Sequence, residues 1–280
     1  MNISDRINLS QIYIISSNEF DRIMGHPLII VVSCLLFIIT LLNAMGGSHL
    51  LSELEETAKC DIFIRYGFGQ IFYITSLLCT VVALFLGVTS MAEDRSNNYL
   101  NNLLTKPLYR RDVIIGKFLG INVFLMLLII VSFLGCSFFL MIFYKSPDSF
   151  VEYILRVSSL ILALFFECSL TVGIAMFIGI AFKNLVESIA VAMTYLFVEY
   201  YGFLNQYVET VSYLRDLQLL SPHILYYMIF NGNERALLID TSVSYLDWFN
   251  AAMPFIILIV LEIFVFLLLD CTMFTKFEET

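Results

Sequence analysis

Charge is what this chain has least of. Asp, Glu, Lys and Arg make up 14% of it and hydrophobic residues 60%, with a mean hydropathy of +0.88. Soluble domains sit near half apolar and a quarter charged, so a soluble fold with a large core is excluded and a polytopic membrane protein is expected. Positive charge is scarcer still. Fifteen Lys and Arg face 24 Asp and Glu, and a net charge of −9 argues against nucleic acid as a partner. Histidine occurs three times, at His26, His49 and His223, all near the expected surfaces. No Ser/His/Asp arrangement is visible, so no enzyme is expected. The phosphate-binding pattern G-x-x-x-x-G-K-[ST] is missing, because Gly116-Lys117 lacks both the preceding glycine and the following hydroxyl. The chain therefore binds no nucleotide by that route. The six cysteines form no C-x-x-C pair, and five lie in or beside apolar runs. That pattern indicates buried small hydrophobes rather than a zinc site or a disulfide framework. The first 26 residues lack a short apolar core with a small-residue cleavage site, so no signal peptide is expected.

Long apolar runs are present instead. Residues 9–25 mix Ile12, Ile15, Phe20 and Ile23 with Glu19, Asp21 and Arg22, too polar to span a bilayer but suited to a helix in the interface. Six spans are expected beyond it, over 28–45, 67–91, 113–144, 154–182, 186–203 and 249–274, in a single all-α transmembrane domain covering 1–280. Residues 204–248 form an outer region in which two short helices are expected, one dipping towards the membrane. An even number of spans puts both termini on one side. That side carries nine basic residues (Arg6, Arg22, Arg95, Lys106, Arg110, Arg111, Lys117, Lys183, Lys276) against six on the other, so the termini are expected to be cytoplasmic, in a cell membrane.

The polar stretch over 91–117 concentrates five of the fifteen basic residues and opens on Glu93-Asp94. Between 97 and 104, four asparagines alternate in pairs with Tyr99, Leu100, Leu103 and Leu104, which gives a short helix one polar and one apolar face. Pro107 disfavours helix in the residue before it, so this helix should stop near Lys106. The reading is an amphipathic helix at the membrane surface, built to be gripped by a soluble partner.

Three acids sit inside apolar runs: Glu167, Glu199 and Glu262. Each should cost about 2–3 kcal/mol at the bilayer centre and so should face protein or water. One reading is a proton or substrate pathway. The other is interhelical hydrogen bonding, with Tyr195, Tyr200 or Asn122 as partners. Asp270 is expected to be solvated near the inner end of the last span.

The stretch E93-D94-R95…L103-L104-T105-K106-P107-L108-Y109-R110-R111-D112…G116-K117 resembles the cytoplasmic loop of ABC-2 type permeases, close to the NosY-like branch. In that family an acidic and basic cluster leads into a helix of the form GTL-x-x-LL-x-x-P, then a basic residue and LGK. This chain departs at Asn98-Tyr99, where the family usually has Gly-Thr. Weaker matches are S17-N18-E19-F20-D21-R22…H26-P27-L28 and Leu220-Ser221-Pro222. The resemblance implies a coupling helix within the 92–112 loop, with Glu93, Asp94, Arg95, Tyr99, Leu100, Leu103, Leu104, Pro107 and Arg110 facing a separate ABC ATPase. It also implies a second permease subunit, identical or related, with ATP and Mg bound by the partner ATPase and no cofactor by this chain. Membrane lipids surround such a subunit, and an extracytoplasmic protein is a further candidate partner. The expected role is an exporter. The alternatives are a mechanotransmitting subunit acting on that extracytoplasmic protein, or an ion-coupled secondary transporter using the three acids.

Overall fold

The computed structural model describes residues 9–54, 61–96, 110–182, 184–200, 219–232 and 237–277, all helix or connecting turn with no strand among them. The helices are α1 (Leu9–Met24), α2 (Pro27–Leu54), α3 (Ile62–Ser96), α4 (Arg110–Phe143), α5 (Phe150–Ala181), α6 (Leu185–Tyr200), α7 (Pro222–Asn231) and α8 (Tyr245–Phe277). Five of them, α2, α3, α4, α5 and α8, are long and apolar enough to cross a membrane. The run expected as a span over 186–203 is described as α6 up to Tyr200, and residues 201–203 lie outside the described residues.

Local chemistry sets the ends. Pro27 opens α2, where its missing N–H costs nothing. Ser149 caps α5 by accepting from the Glu152 N–H, and Ser221 caps α7 by accepting from the Ile224 N–H ahead of Pro222. Gly232 closes α7 in the left-handed region at φ 49°.

Helices α3 and α5 form the centre. Their candidate spans are 67% and 72% buried, against 22% for α2 and 17% for α8. The two backbones meet where a side chain would not fit. A Cβ on Gly87 would stand 2.6 Å from the Ala175 Cβ, and one on Gly179 would stand 2.9 Å from the Val88 carbonyl oxygen. In lipid, helices gain little from hiding apolar surface from water, so close approach at small residues supplies the packing. α1 crosses α4 in the same manner. A Cβ on Gly116 would stand 2.8 Å from the Ile15 Cβ, and one on Gly120 would stand 2.6 Å from the Ser16 carbonyl oxygen.

Arg156 is one of the six basic residues that the sequence puts on the side opposite the termini. It lies within α5, fully buried, two turns after the cap. Its guanidinium pairs with Glu152 at 2.7 Å and donates to the carbonyl oxygens of Leu238 at 2.5 Å and Val243 at 2.6 Å. An arginine can be buried here because each guanidinium nitrogen finds an acceptor. It pins the segment 237–244, which Asp240 also joins to Arg65 of α3 at 3.2 Å. Burial alone would raise the Asp240 pKa. Bonds from the Ser242 side chain and N–H, with the charges of Arg65 and Arg156, outweigh burial and hold it below the usual value.

Candidate functional site

The polar groups inside the bundle gather in two places. One lies where α3 and α4 flank residues 97–109. Glu19 of α1, Ser90 of α3 and Lys117 of α4 are all buried there. Ser90 Oγ donates to Glu19 Oε1 at 2.8 Å, and Lys117 Nζ donates to the Ser90 carbonyl oxygen at 2.5 Å. Arg22 joins Glu19 Oε1 at 2.6 Å. Ser90 lies six residues before the end of α3 and Lys117 seven after the start of α4, so this bracket ties together both helices that flank the loop. α1 is fixed to the same point by its contact with Gly116 and Gly120.

The coupling residues expected from sequence are distributed around this bracket. Glu93, Asp94 and Arg95 fall in the last turn of α3, and Arg110 opens α4. Tyr99, Leu100, Leu103, Leu104 and Pro107 lie outside the described residues. The bracket was not anticipated: Glu19 reads as one more polar residue of an interfacial helix, and only its packing reveals its partners.

The other place centres on Glu167, midway along α5 and fully buried. Ser76 Oγ of α3 donates to Glu167 Oε2 at 2.9 Å. His223 Nδ1 of α7 stands 3.2 Å from Glu167 Oε1. The Tyr200 hydroxyl of α6 lies 3.0 Å from Thr80 Oγ1 and 3.4 Å from Glu167 Oε1. Glu199 completes the set from the other side. Its Oε1 accepts from Ser221 Oγ and from the His223 N–H, both at 3.0 Å. A carboxylate at a helix N-terminus meets an unpaired N–H and the positive end of the helix dipole. The Tyr200 and His223 rings lie 4.4 Å apart at 31°. Behind them, Phe72 stacks on Tyr226 and Phe230, and Trp248 Nε1 donates to the Ile229 carbonyl oxygen at 2.9 Å.

The structure thus joins two of the three acids expected in apolar runs. Glu167 and Glu199 meet through the first turn of α7. Glu262 stands apart on α8, buried, with Oε2 lacking a hydrogen-bond partner. Asn122 does not reach Glu167. It donates to the Phe118 carbonyl oxygen and accepts from Ser169 Oγ at 2.6 Å. Asp270 is not solvated. α8 continues to Phe277, which leaves Asp270 nearly two turns inside the helix end, fully buried and with both oxygens lacking hydrogen-bond partners.

His223, expected at a surface, is the imidazole of the cluster. Burial alone would lower its pKa. The bond to Glu167 and the charges of Glu167 and Glu199 outweigh that and hold it above the ordinary histidine value. Two carboxyls, an imidazole and four hydroxyls in one chain of contacts can hold a proton and pass it between oxygen and nitrogen. Among the described residues no group of three or more His, Cys, Asp or Glu is arranged to hold a metal ion.

No curated protein of known function matches the chain. A family model described as ABC-2 family transporter protein matches residues 13–276, from within α1 almost to the end of α8. With its long apolar helices, the chain is a membrane permease of an ABC transporter, and it belongs to the ABC-2 transporter family.

Proposed function

We propose that this chain is the permease subunit of an exporter of the NosY-like branch, paired with a second permease subunit and driven by a separate ABC ATPase that binds ATP and Mg. The 97–109 loop is where that ATPase grips. The observation that carries this reading is the bracket at the base of the loop. A push on the loop meets α3, α4 and α1 as one unit through Glu19, Ser90 and Lys117, and α3 passes it to its close-packed neighbour α5. In this orientation the termini and loop are cytoplasmic, α1 lies in the inner interface, and α7 caps the outer end.

The test is replacement of Leu103, which would anchor the helix in a groove of the ATPase. Leu103→Asp should abolish co-purification of the ATPase and its stimulation by the permease while the spans still insert. Arg95→Ala should only weaken both, because an exposed ion pair is worth about 1 kcal/mol or less. Full binding and activity in Leu103→Asp would overturn the coupling reading.

The Glu167–His223 contact favours a second reading, an ion-coupled transporter that moves protons through this cluster. It requires transport by the chain without any ATPase, whereas the first reading allows no transport without one.

A further inference from the structure

An apolar cavity of about 160 Å³ lies beside α3, bounded by α2 and α6. Its α3 wall is Val81, Leu84, Phe85 and Val88, the i, i+3, i+4, i+7 stripe of one helix face. Ile189, Ala192 and Met193 line it from α6 at the same kind of spacing, and Val32 lines it from α2. The α2 and α3 positions fall inside the apolar windows Ile29–Gly46 and Phe72–Ala92, so the cavity sits at the depth of the hydrocarbon layer. Gly87 lies on the opposite face of α3, where it meets Ala175 of α5. The central helix is therefore packed without slack on one side and left unfilled on the other.

The walls decide what can enter. No lining side chain carries a nitrogen or an oxygen, so a water would find no side chain to bond. A dry apolar space of about 150 Å³ takes a small hydrocarbon such as benzene instead. A peptide segment would strand its N–H and C=O groups there, and a charged group would fare worse. An empty void is costly too, because its wall atoms lack contacts on one side. The way in is from the bilayer. Val82, Val88 and Ala192 are buried, whereas Met193 is 52% exposed. It shares one helix face with Val186 and Phe197, exposed at 71% and 55%.

We infer that this cavity is a binding site for one acyl chain of a bilayer lipid, held by apolar contacts with the chain alone and without a part for the headgroup. The chain enters past Met193 and lies along Val81, Phe85 and Val88. It gives α3 on this face the packing that α5 gives it on the other, so the bilayer becomes part of the support of the central helix. The site stands whichever way the termini face, and whether or not the 97–109 loop meets an ATPase.

The test places the full chain in nanodiscs of phosphatidylcholine that carries a photoactivatable diazirine in one acyl chain, and mass spectrometry locates the label. Val88 should be labelled, and its labelling should level off as the share of probe rises, because one site fills. Labelling of Val131 on α4, exposed at 62%, should keep rising, as contact with the surrounding bilayer does. Ala192→Leu fills the cavity and should lower the labelling of Val88 about tenfold, the effect of denying burial to two methylene groups. Val131 should be labelled as before. Met193→Trp, at an exposed position, should lower it as well by narrowing the entrance, and serves if the leucine disturbs the fold. Excess decane should compete at Val88, and a phosphatidylglycerol probe should label it as the phosphatidylcholine probe does. An unlabelled Val88, or labelling that rises in step with Val131, would overturn the inference. So would a preference for one headgroup, or labelling of Val88 that both variants leave unchanged. If Val88 stays unlabelled while Met193→Cys chains cross-link as a dimer, a second copy closes the cavity and the lipid site is ruled out.

Discussion

The inner bracket and the outer cluster both join helices through buried charge, but they differ in what else holds them. At the inner end, α1 rests backbone against backbone on α4 at Gly116 and Gly120, and the ionic contacts fasten an interface that already has no slack. At the outer end, α7 is held mainly through side chains, His223 on Glu167, Ser221 on Glu199 and the aromatic stack behind, with one backbone bond from the Leu238 N–H to the Phe230 carbonyl oxygen. Side chains change rotamer where backbones cannot. The comparison separates a part suited to transmit displacement from a part suited to release.

The comparison breaks most easily at Gly120. Valine there must meet the Ser16 carbonyl oxygen, so Gly120→Val should destabilise the protein by about 3 kcal/mol, as overpacking against an unyielding neighbour does. Thermal unfolding in detergent measures it, and an unchanged midpoint would show that α1 is loosely seated. The outer cluster should respond less and more selectively. Glu167→Ala strands Ser76 and His223 and should cost about 2 kcal/mol, while Glu167→Gln still accepts from Ser76 and should cost about 1 kcal/mol or less. A Gln variant that is stable yet inactive would assign Glu167 to proton handling rather than to helix packing.

The smallest effects are those of pH, and the two outer contacts have opposite signs. The His223 pKa is raised, so the stability it adds is complete below the ordinary imidazole value and is lost as pH rises through its folded value. The Asp240 pKa is lowered, so its contribution is complete above the ordinary carboxylate value and is lost as pH falls through its folded value. Hydrogen exchange should therefore show the amides of α7 opening faster in mildly alkaline buffer. Those near Asp240 should open faster in acid. Common behaviour of the two segments would mean that they move as one cap.

The sequence carried the helices because hydropathy is a local signal: eighteen apolar residues need no knowledge of their neighbours. Pairings were another matter. Ser76 meets Glu167 across 91 positions and Glu19 meets Ser90 across 71, distances over which no periodicity speaks. Glu167 and Glu199 stood out because acids in apolar runs are costly, and the same reasoning did not extend to His223, whose partners lie on α5 and α6. Asp270 was misplaced for a related cause. Nearness to the end of an apolar run suggested solvent, but the helix continues past the run and burial is settled by what packs around it. Tyr99 and Leu103, which the pattern of residues singled out, lie outside the described residues.

The seating of α1 on α4 also bears on how the protein is made. Ser16 leaves the ribosome long before Gly120, and at roughly 5–20 residues per second the delay is on the order of ten seconds. During that time α1 has no groove to enter, so its exposed Leu9, Tyr13 and Ile14 must find the membrane surface. The amphipathic character of α1 is thus a requirement of biogenesis as well as of the finished fold. It keeps an early helix parked at the interface until the later span that completes its seat has been inserted.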